Sequence, residues 1–274
     1  MTAAGKVEPS VPVNYTAIYD RGFTGVTSVI PPGAPLAPGS RVKPALLGKI
    51  PGLPGPNGWY GYDCLREPRP TRNTVEKWQH AGANLGLLGR YHPAIDIDCD
   101  DKEVARRVHE VAIRLLGPMP VRYGRQPRCL LACRAEVPLR KQSLSFRYQG
   151  KEQKIEILGD GQQYVIEGRH PTGTAYTWEP SGLDRIGPQD LPLLTAKKVE
   201  ELFDALRAEF GREISQVLRG PSGERAKAPP QELLRGELEE VRAAVASIPN
   251  NFPDRDSYIK FGVAIKAALP DNPV

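Results

Sequence analysis

The stretch that decides the fold is PAIDIDCDD, Pro93–Asp101, in which two aspartates are set between isoleucines and two more follow at once. In a strand, successive side chains alternate faces, so Ile95 and Ile97 turn into a core while Asp96 and Asp98 share the opposite face. At about 3.3 Å of rise per residue their Cα atoms lie roughly 7 Å apart, near enough for both side chains to converge on one cation. Like charges on one face raise each other's pKa, and aspartate is a poor strand former. A strand that carries this pair is therefore read as a site rather than as scaffold.

Outward from it, Val104, Val108, Val111 and Leu115 repeat at helical spacing, with Asp100 and Asp101 at the helix N-terminus and Gly117 closing it. Upstream, NLGLLG (84–89) is strand-like. Before it a helix is expected from Asn73, capped by Asn73 and Glu76 and anchored by Trp78. Downstream, MPVRY, RCLLACR, SLSFRY, QKIEIL and QYVIEG are strand-length runs separated by turn sequences such as YQGK and GDGQ. A helix from Ala196 to Leu218 carries Val199, Leu202, Phe203 and Leu206 on one stripe, and the whole is α+β.

The expected organisation is a catalytic domain over 1–218, with 1–13 disordered, a Pro/Gly-rich polar linker over 219–231 and two amphipathic helices over 232–274. Two helices bury little surface alone, so the chain is expected to continue into a larger protein or to stop short of a finished helical domain. The segment Pro31–Asn57, rich in proline and glycine, is expected to lack regular structure; functional loop and solvated connector both remain open.

Composition sets bounds. With 274 residues, 40% of them hydrophobic, and a mean hydropathy of -0.41, the chain has ample material for a core. It has no run near the roughly 18 apolar residues of a membrane span. MTAAGKVEPSVPV lacks the apolar centre of a secretory leader, so the cytoplasm is the expected compartment. The four cysteines are too few and scattered for a disulfide scaffold; Cys129 and Cys133 could form half a zinc site, but without a CxxC or histidine-rich partner they read as core thiols. A net charge of +5 favours an anionic partner only weakly, because 32 acidic residues share the chain.

A second carboxylate pattern, KIEIL, sets Glu156 between Ile155 and Ile157. On a strand neighbouring Asp96 and Asp98 it would complete an oxygen shell suited to Mg²⁺ or Mn²⁺, leaving room for water and phosphate oxygens. Such a shell serves two-metal phosphoryl transfer. The stretch LRKQSLSFRYQGKEQK gathers Arg140, Lys141, Arg147 and Lys151 around a hairpin with Phe146 and Tyr148 interleaved. It can track a phosphate backbone and stack bases, or be a solvated hairpin with two packed rings.

Taken in order, NLGLLG…AIDIDCDD, VRYGRQPRCLLACR and KIEILGDGQQYVIEGRHPTGTAYTW, spanning about Val29 to Trp178, resemble the primase-polymerase domain of the archaeo-eukaryotic primase superfamily, especially its phage and plasmid members. The resemblance implies an α+β primase-like catalytic domain with a mixed or antiparallel sheet and flanking helices. By position, Asp96 and Asp98 would be the metal ligands of the first motif and Glu156 the acid of the third, replacing the more usual aspartate. Arg128 stands where histidine is commonest in the second motif and could grip a nucleotide phosphate. His170, in GRHPTG, matches a late histidine near the incoming triphosphate. Lys49, in GKIPG, and Arg122, in VRYG, are further nucleotide or template contacts. The C-terminal VRAAVASIPNNFPDRDSYIKFGVAIKAAL is similar to the small all-α domain that joins such catalytic domains to a replicative helicase, either on the same chain or as a partner.

The implied activity is template-directed nucleotidyl transfer, as DNA primase, DNA polymerase or both. It would use nucleoside triphosphates, two Mg²⁺ or Mn²⁺ ions, a single-stranded DNA template and a primer, in the cytoplasm of a bacterial host if the gene is carried by a phage or plasmid. Two other readings stay open. A metal-dependent nuclease could use the same carboxylates, though Ile157 and Leu158 stand where such enzymes carry ExK. A non-catalytic replication-initiation or single-strand-binding module is encouraged by Arg128 in place of histidine.

Overall fold

The computed structural model describes residues 13–66, 69–211 and 237–247, with positions 261, 265 and 268. Chain contacts divide the protein into two units, Met1–Leu218 and Arg219–Val274. In chain order the first unit holds α1 (Tyr15–Asp20), β1 (Val26–Val29), β2 (Gly52–Gly55), β3 (Gly58–Gly61), α2 (Arg72–His80), β4 (Asn84–Leu88) and β5 (Ala94–Asp98). There follow α3 (Lys102–Leu116), β6 (Val121–Tyr123), β7 (Cys129–Ala132), β8 (Gln142–Tyr148), β9 (Lys151–Leu158), β10 (Gln163–Glu167), β11 (Thr177–Glu179) and α4 (Ala196–Glu209).

β5 lies inside a six-stranded sheet of order β11-β6-β7-β5-β9-β8, and every pairing in it is antiparallel. A second antiparallel sheet has the order β1-β4-β10, and β2 and β3 form a separate hairpin. The α+β expectation is met, and of the two sheet types it left open the antiparallel one is observed.

Alternation along β5 divides the molecule into two cores. Ile95 and Ile97, both fully buried, join Leu131 of β7, Ile155 and Ile157 of β9 and Phe146 of β8 beneath the apolar stripes of α3 and α4. On the other face, Ala94, Leu130 and Ala132 belong to a cluster with Leu85 and Leu87 of β4 and with Tyr164 and Ile166 of β10, backed by Ile18, Val75 and Trp78 from α1 and α2. Each fully buried aliphatic chain contributes about 1.5–3 kcal/mol. Asp96 and Asp98 share the second face with Ala94, at the point where the space between the two sheets opens.

α3 begins on the side chain of Asp101, which accepts from the backbone N–H of Glu103 (2.9 Å) and Val104 (3.0 Å), and it ends at Gly117 with φ 87. The start of α2 differs from expectation. Its cap is Thr71, which accepts from Thr74 N–H at 3.2 Å, two residues before Asn73. Arg72 is held there by Asp20 at the end of α1, with Nε 2.9 Å from Oδ1, which fixes the earlier entry.

The Pro/Gly-rich segment also departs from expectation, since it contributes β2 and a short 3₁₀ turn at Pro44–Leu46. Backbone bonds to Ile30, just after β1, and to Trp59 of β3 hold it: Ile30 N–H to Ile50 O (3.0 Å), Gly48 N–H to Ile30 O (2.8 Å) and Trp59 N–H to Pro35 O (2.8 Å). Cys129 and Cys133 are both buried in the core beneath α3 and α4.

In the second unit, α5 (Leu238–Ser247) and the positions Phe261, Ile265 and Ala268 are helical. Of the disorder expected over 1–13, residues 1–12 lie outside the described residues, as do the final turns of the helix to Leu218 and the linker over 219–231, while Val13 is described and its carbonyl accepts from Gln79 Nε2 at 3.2 Å. No helix among the described residues is long and apolar enough to cross a membrane.

Candidate active site

Register brings the predicted residues together along one rung of the large sheet. Arg122 on β6 stands opposite Leu130 on β7, Leu130 opposite Asp96 on β5, and Asp96 opposite Glu156 on β9. Residues opposite one another in register point to the same face, so one arginine and two carboxylates from distant parts of the chain line up. Asp98, two positions along, is paired with Lys154. Asp96, Asp98, Arg122, Arg128, His170 and Lys49 all line a single cavity of about 260 Å³. Sequence reasoning chose these six from five separate segments, and the structure gathers them.

Each is held by its local structure. Lys49 belongs to the Pro/Gly-rich segment, and its backbone carbonyl accepts from Gln163 Nε2 of β10 at 2.6 Å. The Arg122 guanidinium donates to Val165 O and lies 4.6 Å from the centre of the Tyr176 ring. Arg128 contacts Asp98 through one terminal nitrogen and grips Asp100 with two more donors, at 2.8 and 2.7 Å. Arg125 adds a contact to Asp100 at 3.0 Å. His170 Nδ1 accepts from Thr172 N–H at 3.2 Å, so the neutral ring carries its proton on Nε2 and presents a donor.

The electrostatics follow from this crowding. Burial pushes the Asp96 carboxyl up to about 6, and its neighbours Asp98 and Glu156 add to the rise against Arg122 and Lys49. No hydrogen bond or ion pair among the described residues ends on the Asp96 carboxyl. Burial lowers His170 below the usual imidazole range, and Lys49, Arg125, Arg122 and Arg128 lower it further. Burial also acts to raise Glu156, but the ammonium groups of Lys154 and Lys141, each 3.0 Å from Oε1, outweigh it and hold the carboxyl below its ordinary value.

These contacts bear on a metal. Asp96 and Asp98 offer hard oxygen donors on one face of one strand, which fits a cation that completes its shell with water and phosphate oxygens. Glu156 is engaged by two lysines, and among the described residues no set of three His, Cys, Asp or Glu side chains is arranged to hold a metal unaided. The residues fit a two-carboxylate site that shares its cation with a substrate.

The basic hairpin divides in two. Arg140, Arg147 and Lys151 are exposed, and no ion pair or hydrogen bond among the described residues ends on their side chains, whereas Lys141 is turned to Glu156. Phe146 is 1% exposed and stacks on Phe210 with ring centres 4.7 Å apart, so it is a core ring rather than a base platform.

Sequence reasoning missed several residues at the site. Tyr176 meets the His170 ring edge-on at 5.9 Å. Gly124 lies where a Cβ would stand 2.5 Å from the Tyr176 ring. Asn84 clamps the start of the His170 loop, its Nδ2 donating to Arg169 O (2.7 Å) and its Oδ1 accepting from Arg169 N–H (2.9 Å). Asn84 is 85 positions from Arg169, and nothing local in NLGLLG signals the contact.

Compared with known proteins, residues 27–193, more than half of the chain, match the family model for the N-terminal domain of bifunctional DNA primase/polymerase. No curated protein matches the chain.

Proposed function

The chain belongs to the bifunctional DNA primase/polymerase family, and we propose that it extends nucleic acid strands on a single-stranded DNA template at the cavity lined by Asp96 and Asp98. The observation that carries this reading is the convergence of two carboxylates, four cationic side chains and His170 on that one cavity. Two carboxylates facing three arginines and a lysine suit a triphosphate whose negative charge is shared between protein cations and a carboxylate-held metal.

In the proposed reaction Asp96 and Asp98 hold divalent cations, Mg²⁺ or Mn²⁺. When bound, these supply Lewis-acid stabilisation of the α-phosphate and favour ionisation of the attacking 3′-hydroxyl. Arg128 and Arg125, which contact Asp100, would take triphosphate oxygens, and guanidinium suits their paired geometry. His170 donates from Nε2 to the same group. Arg122 adds fixed positive charge at the end of the rung, its orientation set by Val165 O and the Tyr176 ring. Glu156 keeps Lys141 and Lys154 beside the metal-binding carboxylates. Preorganised charge of this kind is the largest contribution in phosphoryl transfer, and no covalent intermediate is required.

Arg140, Arg147 and Lys151 are assigned to the template or primer backbone. The unit over 219–274 is assigned to a helical accessory domain, through which a helicase would be engaged.

The test is incorporation of labelled nucleotide on a primed single-stranded template with Mg²⁺ or Mn²⁺. Asp96→Asn and Asp98→Asn should each lower incorporation at least about a hundredfold, the scale of losing one charge-stabilising group at a reacting centre. Template binding should persist. Incorporation at the native rate in both variants would remove this cavity from the chemistry.

A further inference from the structure

Two residues beyond Asp98 and one before the cap of α3, Asp100 gathers two arginines from another part of the chain. Arg125 and Arg128 lie in the connection from β6 to β7, and the pairing of Ile97 with Cys129 brings that connection back to the end of β5. Arg128 meets the Asp100 carboxylate edge-on, with Nε 2.8 Å from Oδ1 and Nη2 2.7 Å from Oδ2. Arg125 Nη2 lies 3.0 Å from the same Oδ1. Both arginines line the cavity of the candidate site, and Asp100 stands outside that lining.

How the Arg128 guanidinium is divided shows what the contact does. Its five N–H groups lie in one fixed plane. Asp100 takes the edge formed by Nε and Nη2, while Nη1 turns to Asp98. A paired contact of this kind fixes the plane of the group as well as its charge. A cation on Asp98 competes with Nη1 for that carboxylate, whereas the grip of Asp100 lies on the other edge and survives. Nη1 and the outer side of Nη2 then face the cavity as free donors. An arginine already held in this way loses less freedom when it takes a phosphate than one that must first be ordered.

Folding stability does not account for the arrangement, because Asp100 is 51% and Arg125 46% exposed, and ion pairs open to solvent contribute little. The Arg128 hydrogen bond, followed by the charges of Arg128 and Arg125, holds the Asp100 carboxyl below the usual range against slight burial, so it is ionised near neutrality. We propose that Asp100 is a positioning residue of the nucleotide site, which touches neither nucleotide nor metal and holds Arg128, with Arg125, in the orientation that takes the triphosphate. The inference rests on the polymerase reading above and adds Asp100 to it.

The experiment uses the full chain and three probes at equilibrium: a deoxynucleoside triphosphate with Mn²⁺, inorganic triphosphate with Mn²⁺, and Mn²⁺ alone. Asp100→Asn should weaken the nucleotide about tenfold, the scale of one charge-assisted hydrogen bond. Inorganic triphosphate, which has no base or sugar, should weaken by the same factor, with Mn²⁺ affinity and melting temperature retained. In primer extension the KM for nucleotide should rise while kcat holds, the mark of lost binding rather than lost chemistry. In a chain that already carries Arg125→Ala and Arg128→Ala, the same change should cause no further weakening, because Asp100 has nothing left to hold.

Native affinity for both triphosphates in Asp100→Asn overturns the proposal, and tighter binding overturns it by making Asp100 a competitor for the arginines. Weaker Mn²⁺ binding makes it a metal ligand instead. A loss confined to the nucleotide, or one that persists in the chain without the two arginines, places its action elsewhere. Absence of primer extension by the native chain would refute the polymerase reading, while the binding comparison still decides the role of Asp100.

Discussion

At the scale of single residues, Asp96 and Glu167 are carboxyls placed where burial and like charge work against ionisation. Glu167 shows the cost most clearly, because it is raised from its usual 4.5 to about 8 by burial and then by Asp184. Between those pH values the folded chain holds one more proton than the unfolded chain at this position, so stability falls as pH rises, and the loss is complete above about pH 8. Glu167→Gln removes the penalty. The variant should match the native chain near pH 4 and exceed it at pH 9 by about 2–4 kcal/mol, read from denaturant midpoints. An unchanged difference across that range would show that the carboxyl titrates normally. Asp96 is raised to about 6 for the same leading reason.

At the scale of elements, caps and clamps decide where the functional side chains stand. Asp101 ends the IDIDCDD run and caps α3 with two backbone contacts, so one short segment supplies both the carboxylate pair and the start of the helix that covers it. Asp101→Ala should lower stability by about 1 kcal/mol, measured by chemical denaturation. Asn84 acts at longer range by holding Arg169 through both its amide groups. Asn84→Ala leaves two backbone groups without partners and should cost about 1–3 kcal/mol. The same change should raise the KM for nucleotide more than it lowers kcat, because the His170 loop loses its anchor. A purely structural Asn84 would lower stability and leave KM unmoved. Five of the six strands of the large sheet, with β4 and β10 of the second, could be read from alternation and turn residues, but β1, β2, β3 and β11 could not. These are three- or four-residue strands, some glycine-rich, that become strands only through their partners.

At the scale of the whole molecule, the cavity of the site draws on β5, β6, β7 and β9 of the large sheet and on β10 of the second. The exposed cations Arg140, Arg147 and Lys151 extend the positive charge of the site along the β8–β9 hairpin. If they follow a single strand, replacing all three by alanine should weaken binding uniformly across template sequences. It should also reduce the slope of log affinity against log salt by about 2, at roughly 0.7 per phosphate contact. An unchanged slope, with the native melting temperature retained, would place the strand elsewhere. Lys141 is excluded from that set because its ammonium is committed to Glu156.

The amino-acid sequence by itself determined the α+β class, the central strand with its paired aspartates and the helix that follows it, and it nominated six of the side chains that line the cavity of the site. Alternation, helical spacing and capping act between near neighbours and leave a periodic trace, and the order of the motifs carries the rest. Only the tertiary structure decided that Asp96 faces Glu156 across a rung, that Phe146 is a core ring and that Lys141 turns to Glu156. It alone placed Asn84, Tyr176 and Glu167 around the His170 loop. These placements depend on strand order and register, which are settled by packing between segments far apart in the chain and leave no local pattern to read.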